Sequence, residues 1–431
     1  MSFNNTEYRE LLDFLFSLHN YGVKLGLENI SAFLERIGNP HKKIKAFHVT
    51  GSNGKGSTSS FLASILFQNG FKTGLYTSPH FVKFNERIRI NGEEIDDDYV
   101  LSFIKKHRAY IEETKLTFFE VTTALAFLYF AEMKVDYAVI EVGLGGRLDA
   151  TNVLNPVASI ITTISLEHTN VLGSTHADIA AEKAGIIKPG VKVFTGLLNK
   201  EASDVIARKA AELQCRLFPL DEYIIMRNRK AELYTDDLFM DEVISPLNGY
   251  YQKINASLAA LTINKTLGIT DSDLFNSAFK NVIINTGFQG RFEIISQKPW
   301  LILDSAHNLE SLVNFIKEFK YYRKKFTRVT VLFSVLKDKN YAEMIEQLKG
   351  EFDEYIVTEI KDNERAAPLD ELGKVFDTYG ISFRTVDDPG KAVSEHLSSN
   401  EPKSCLVVMG SMYLIGEVKK HLSDSVNNQF I

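Results

Sequence analysis

His48-Val49-Thr50-Gly51-Ser52-Asn53-Gly54-Lys55-Gly56-Ser57-Thr58 joins an apolar run, Ile44–Thr50, to a helical pattern, Gly56–Gln68. Strand, glycine-rich turn and helix in that order form a phosphate-binding context. Glycines let backbone N–H groups fold around phosphate oxygens, and the helix N-terminus adds partial positive charge. Lys55 supplies a full positive charge, and Ser57 or Thr58 can reach a magnesium ion. The spacing departs from G-x-x-x-x-G-K-[ST]: a glycine follows the lysine, and the first glycine is too close. The plain alternative is a strand-to-helix turn without a ligand, a task that a lysine between two glycines serves poorly.

Outward from this loop, short β-rich runs alternate with amphipathic helical patterns. Ile44–Thr50, Tyr137–Val142, Ala158–Ile164 and Val191–Thr195 read as strands. Gly56–Gln68, Val121–Met133 and Ala177–Ile187 read as helices between them. The alternation predicts an α/β fold with a mostly parallel sheet and helices on both faces. The pattern restarts after residue 293, with strands at Trp300–Leu303, Arg328–Phe333, Tyr355–Val357, Ile381–Thr385 and Cys405–Met409. Asn308–Phe319 and Tyr341–Leu348 are helices of this second part. Two glycines interrupt periodicity in Asn285–Arg291 and mark the boundary. The expectation is a P-loop ATPase-like domain at 1–293 and a smaller Rossmann-like α/β domain at 294–431.

A chain of 431 residues is long for one core, which agrees with two domains. Its hydrophobic share of 45% and charged share of 24% are those of an ordinary globular protein. The net charge of -6 and the absence of a long basic block argue against a nucleic-acid binder. Tyr322-Arg323-Lys324-Lys325 is short and reads as a solvated face. Cys215 and Cys405 are far apart, so neither a disulfide framework nor a zinc site is indicated, and a reducing, cytoplasmic compartment is expected. Apolar stretches such as Ala124–Ala131 are too short to span a bilayer, and the first residues lack a signal-peptide pattern.

Ligands of open α/β sheets bind beyond the carboxyl ends of the strands. Glu141 stands there, ahead of Gly143-Leu144-Gly145-Gly146-Arg147-Leu148-Asp149-Ala150-Thr151-Asn152, as a magnesium-ligand candidate or a solvated strand end. His168, after the strand Ala158–Ile164, reads on residues alone as a hydrogen-bonded loop histidine, because magnesium prefers oxygen. Lys183 reads as a surface helical lysine beside Glu182. Asp304-Ser305-Ala306-His307-Asn308 is either a polar cluster or a helix cap.

Together these segments resemble the folylpolyglutamate synthase/dihydrofolate synthase family of the Mur ligase superfamily. The matching pieces are HVTGSNGKGS (48–57), YTSPHF (76–81), FNERIRINGEEI (84–95), TFFE (117–120), EVGLGGRLDATN (141–152), EHTNVLG (167–173), EKAGIIKPG (182–190), YQKINASLAAL (251–261), GRFE (290–293), LDSAHN (303–308), LKDKN (336–340) and GSMYLIGE (410–417). They cover nearly the whole chain in order.

The resemblance implies an ATP- and magnesium-dependent ligase that joins L-glutamate to dihydropteroate, to reduced folates, or to both. It implies that Gly51, Asn53, Gly54, Lys55, Gly56 and Ser57 cradle the triphosphate, with Asn255, Arg291 and Asp304 on the nucleotide. It implies two magnesium sites, with Ser78, Glu141, His168 and a carbamylated Lys183 as ligands, which replaces the plainer readings of His168 and Lys183. Lys55, Lys183 and His168 are the implied catalytic residues. Thr117, Phe118, Phe119, Glu120, Leu148, Asp149 and Ala150 match segments that hold the pterin. The expected partners are small molecules, without nucleic acid or membrane, and the expected state is a monomer.

The chain departs from the family's common pattern at Glu167 and Asn170, both often Asp, at Phe288-Gln289 in place of Trp-Pro, and at Ser305 in place of Gly. These departures bear on fine geometry and substrate preference. The rival readings are a UDP-sugar Mur ligase, which would usually carry an extra domain ahead of the loop, a non-catalytic ATP-binding protein, and a simple P-loop ATPase.

Overall fold

A computed structural model describes residues 5–22, 24, 26–361 and 363–427. Two compact units emerge. One runs to Ser78 and takes in 84–246 and 253–288; the other holds 79–83, 247–252 and the chain from Gln289 onward.

The strands of the first unit are β1 Ala46–Thr50, β2 Thr73–Tyr76, β3 Ile88–Ile90, β4 Glu93–Glu94, β5 Tyr137–Glu141, β6 Ala158–Ile161, β7 Lys192–Thr195 and β8 Leu217–Pro219. They form one sheet in the order β4-β3-β2-β5-β1-β6-β7-β8. The pairings from β2 through β8 are parallel, and β3 and β4 add an antiparallel hairpin at one edge. All five residues of β1 are buried, as a central strand covered on both faces requires. A separate antiparallel sheet holds β9 Ile224–Arg227, β10 Lys230–Tyr234 and β11 Phe239–Met240.

The second unit has β12 Glu293–Gln297, β13 Trp300–Asp304, β14 Arg328–Phe333, β15 Glu354–Val357, β16 Arg384–Thr385 and β17 Ser404–Met409. Their order is β12-β13-β17-β14-β15-β16, parallel except for the β12–β13 hairpin. The strand expected at Ile381–Thr385 is reduced to its last two residues. Ile381 instead enters the core, and Phe383 packs against Phe376 with ring centroids 5.3 Å apart.

Two helices frame the candidate site. Lys55–Gln68 follows β1 and is buried on nearly every side from Ser57 to Leu66, which explains its lack of an amphipathic pattern. Phe118–Glu132 opens with a capping box: Thr117 Oγ1 accepts from Glu120 N, and Glu120 Oε2 accepts from Thr117 N at 2.7 Å. Among the described residues, no helix is long and apolar enough to cross a membrane.

Candidate active site

Neighbouring strands β5, β1 and β6 end side by side, and the loops leaving them are stitched together. Ser52 N donates to Thr163 O at 2.8 Å, and Asn53 N to Thr163 Oγ1 at 2.9 Å. Thr162 Oγ1 donates to Asn53 O at 2.6 Å, and Thr50 Oγ1 to Gly145 O at 2.6 Å. The phosphate loop is thus fixed from both sides. Gly54 ends it in the left-handed region, at φ +84°, where a Cβ would lie only 2.6 Å from Asn255 Oδ1. Backbone conformation and close approach both require glycine there. Lys55 folds over the loop and donates to Gly51 O at 2.8 Å and Ser52 O at 3.1 Å.

Glu141 is buried at the end of β5, and its Oε2 accepts from Ser78 N at 2.9 Å. Its carboxylate lies beside Gly56, 3.7 Å from where a Cβ on that residue would stand. Glu141 and the hydroxyls of Ser78 and the phosphate loop are hard oxygen donors, the kind that suits magnesium. Among the described residues, no three His, Cys, Asp or Glu side chains gather into a cage. Magnesium in nucleotide sites is commonly held by one or two carboxylates plus substrate phosphates.

Lys183 is 1% exposed, so the surface reading drawn from its pattern is corrected. Its helix, His176–Ala184, lies under the glycine-rich turn after β5. Arg147 N donates to Glu182 O at 2.9 Å, and a Cβ on Gly146 would come within 2.8 Å of the same carbonyl. That close approach accounts for glycine at 146. Lys183 Nζ donates to Glu167 Oε1 at 3.0 Å. Burial pushes the ammonium down to about 8, against the pull of Glu167 and with the help of Lys55. Burial alone would raise Glu167, but the charges of Lys183, Lys55 and His168 hold it well below the usual carboxylate range. His168 follows in a left-handed conformation, φ +47°, at the start of the short helix Thr169–Leu172. A non-glycine residue there is uncommon and is a recurrent feature of functional sites.

The two segments expected to hold the pterin meet. The half-buried Phe119 packs on Gly143, 2.6 Å from where a Cβ on that glycine would be. Phe118 has two polar neighbours: His19 stacks at 4.0 Å between ring centroids, and the Arg87 guanidinium lies 5.0 Å from its ring. Glu120 and Thr117 serve the capping box described above. Asp149 is buried. Its Oδ2 accepts from Gly143 N and Leu144 N at 3.0 and 2.9 Å, and its Oδ1 from Thr151 N and Oγ1 at 2.9 and 2.5 Å. This carboxylate holds the turn together, with half-buried Leu148 and buried Ala150 on either side.

In the second unit, Asp304 at the end of β13 holds the turn that carries Arg291. Asp304 Oδ2 accepts from Phe292 N at 2.6 Å, and Oδ1 from Ala306 N at 2.8 Å. Burial raises its carboxyl to about 6 although the Arg291 charge opposes this. Asn308 caps the next helix, accepting from Ser311 N at 2.9 Å.

Residues 49–295 match the Mur ligase middle domain, and residues 290–412 match the Mur ligase glutamate ligase domain. The dihydrofolate synthase/folylpolyglutamate synthase of Bacillus subtilis is 34% identical over 97% of this chain and 99% of its own length. The chain belongs to the folylpolyglutamate synthase/dihydrofolate synthase family of Mur ligases. Folylpolyglutamate synthase from Lacticaseibacillus casei is 33% identical over 96% of this chain and 98% of its own. Among solved structures, folylpolyglutamate synthase from Thermotoga maritima superposes with a TM-score of 0.82, 33% identity and 97% coverage of both chains. Escherichia coli FolC in complex with DHPP and ADP superposes with a TM-score of 0.85 at 28% identity, covering 96% of this chain and 98% of that one. Membership of this family makes the chain an ATP-dependent acid–amino-acid ligase.

One partner in the site was missing from the residue-level candidates. Glu167 was noted as a departure, yet it holds Lys183. Its place directly before His168, in the loop after β6, was the available signal.

Proposed function

We propose that this ligase attaches L-glutamate both to dihydropteroate and to the γ-carboxyl of reduced folate polyglutamates, using ATP and releasing ADP and phosphate. One observation carries the chemistry: the phosphate loop, Glu141 and the Lys183–Glu167 pair stand at the ends of three adjacent strands. The names of the relatives, which include both activities, and the meeting of the TFFE and LGGRLDATN segments support the choice of acceptor. A working division assigns 1–293 to ATP and folate and 294–431 to the glutamate-ligase function, in a cytoplasmic monomer.

A carboxylate resists attack by an amine because oxide is a poor leaving group. In the proposed route a carboxylate oxygen attacks the γ-phosphorus of ATP, the bond to the bridging oxygen breaks, and ADP leaves. The neutral amine of glutamate then attacks the acyl carbon. The tetrahedral intermediate loses a proton to solvent or a nearby base and expels phosphate, leaving the amide. Positioning and charge neutralisation carry most of such a transfer. Lys55 leaves its own loop carbonyls to meet phosphate oxygens, and the loop N–H groups complete the cradle. Asn255, Arg291 and Asp304 are assigned to the nucleotide.

Magnesium, when bound, would neutralise phosphate charge, with Ser78, Glu141 and His168 as its protein ligands. Lys183 joins them only after its amine changes character. Burial lowers its affinity for a proton, so a neutral amine is accessible near pH 8 and can add CO2, forming a carbamate with release of one proton. That anion would offer oxygen to a second magnesium. Intact-mass measurement should find one CO2 added to the wild type and none to Lys183→Met.

The acceptor is tested by ATP-dependent phosphate release with glutamate and magnesium, offering dihydropteroate in one reaction and tetrahydrofolate in another. Turnover with both is expected. Turnover with one alone restricts the acceptor, and silence in both with nucleotide binding intact overturns the folate reading in favour of a UDP-sugar substrate or a non-catalytic role.

A further inference from the structure

We infer that Lys419, on the helix Met412–Asn427, is a positioning residue for Arg291; the inference rests on the assignment of Arg291 to the nucleotide. The turn carrying Arg291 is unusual. Gly290 has φ +71°, and Phe292, two residues on, has φ +44° with its side chain fully buried. A bulky residue in the left-handed region persists only where its surroundings over-determine it.

Those surroundings are all within the second unit. Gly290 O accepts from Ser305 Oγ at 2.8 Å, Ser305 N at 3.0 Å and the Arg291 guanidinium at 3.1 Å. Phe292 N is held by Asp304. Glu293 faces two ways: Oε2 accepts from Gly290 N at 2.6 Å, and Oε1 accepts from Lys419 Nζ at 2.8 Å. Lys419 Nζ also donates to Gln289 Oε1 at 2.8 Å. One ammonium therefore bridges the residues that flank Gly290-Arg291-Phe292 and fixes the carboxylate that holds the Gly290 N–H. Phe81 closes the other side, packed over Gly290 with its ring 5.8 Å from Lys419 Nζ.

The helix does not need this amine in order to fold. It is anchored by buried Leu414, Ile415 and Val418, whereas the Lys419 side chain is 12% exposed at its edge. Removing the charge takes from Glu293 Oε1 and Gln289 Oε1 the ammonium that they share, loosens both ends of the turn and lets Arg291 swing, while the core stays packed. Arg291 is the group assigned to the ligand; Lys419 acts through it.

The test compares Lys419→Met, Lys419→Arg, Arg291→Ala and the double variant Lys419→Met/Arg291→Ala by ADP titration, steady-state kinetics with ATP varied, and melting temperature. Loosening a positioned group costs up to about a hundredfold. Lys419→Met should therefore weaken ADP binding and raise KM for ATP by about tenfold or more, with the melting temperature nearly unchanged. Lys419→Arg should restore most of the affinity. The double variant should be no worse than Arg291→Ala, because the two act as one unit. Lys419→Met with wild-type nucleotide affinity, or additive losses in the double variant, overturns the inference. Failure of the functional reading would look different: ADP binding would respond to these variants while the wild type joined glutamate to neither acceptor.

Discussion

The corner where β5, β1 and β6 end and the Gly290–Phe292 turn that leads into β12 solve the same problem by different means. The first is crowded with charge: Lys55, Glu141, Glu167, His168 and Lys183 stand at strand ends, helix starts and the loops and helix beside them, and Lys183 and Glu167 pair out of water. The second holds one cationic side chain in place largely through backbone hydrogen bonds, a strained phenylalanine and an ammonium strap. Charge in a dry corner can act on a reacting phosphoryl group, while a stiffly held turn can aim a group at a ligand. We propose chemistry for the first region and nucleotide grip for the second.

Removing the central cation of the first region should produce the largest effect. Lys55→Ala is expected to lower kcat/KM by about 10²–10³-fold, the typical cost of losing one pre-organised electrostatic donor, with little change in melting temperature. Activity within a few-fold of wild type would break the assignment. Arg291→Ala should come next. A hydrogen bond to a charged group is worth about 1.5–3 kcal/mol, so KM for ATP should rise roughly tenfold to hundredfold. An unchanged KM for ATP and unchanged turnover would remove the second region from the nucleotide site.

Glu167→Gln sharpens the contrast through stability. The folded-state carboxyl lies at about 2, below its ordinary 4.5, so its stabilising contribution is fully present above pH 4.5 and fades as pH falls towards 2. In protein kept free of CO2, so that Lys183 carries no carbamate, the variant should be less stable than wild type at pH 7 by up to about 3 kcal/mol, and by less to the extent that Lys183 sheds its proton. Urea midpoints of the two proteins should converge between pH 4.5 and pH 2. A gap that persists unchanged at low pH would show that the pair is not what Glu167 contributes. Lys200→Ala supplies the smallest effect. Lys200 and Asp204 also pair at 3.0 Å, but their side chains are 87% and 57% exposed, so the loss should stay below about 0.5 kcal/mol.

The two regions also differ in how far the sequence disclosed them. The phosphate loop was legible because glycines around a lysine, after an apolar run and before a helix, have few other uses. β1, β5 and β6 were legible from buried β-rich runs, although Ala158–Ile164 was read three residues too long. Lys183 was not legible from its pattern: Ala-Glu-Lys-Ala suits an exposed helix turn, and burial came from a distant turn pressing on that helix. The resemblance alone pointed to it. β9–β11 and β12 escaped because many of their residues are exposed or half-buried and form no continuous apolar run, whereas β13 was read at Trp300–Leu303. Lys419 was invisible for a stronger reason. It lies 126 residues from Glu293 and 130 from Gln289, and a lysine on an amphipathic helix has no local mark of such a partner. TFFE and Asp149 show the converse: their residues cap a helix and knit a turn, so a motif that the resemblance assigns to substrate is also a folding device.

The most direct test of the account follows the oxygen. Dihydropteroate labelled with ¹⁸O in its carboxylate is incubated with the enzyme, ATP, magnesium and glutamate, and both products are weighed by mass spectrometry. The account predicts a glutamate adduct that has lost one labelled oxygen, with that oxygen found in inorganic phosphate. No adduct, or an adduct formed while phosphate remains unlabelled, would contradict it.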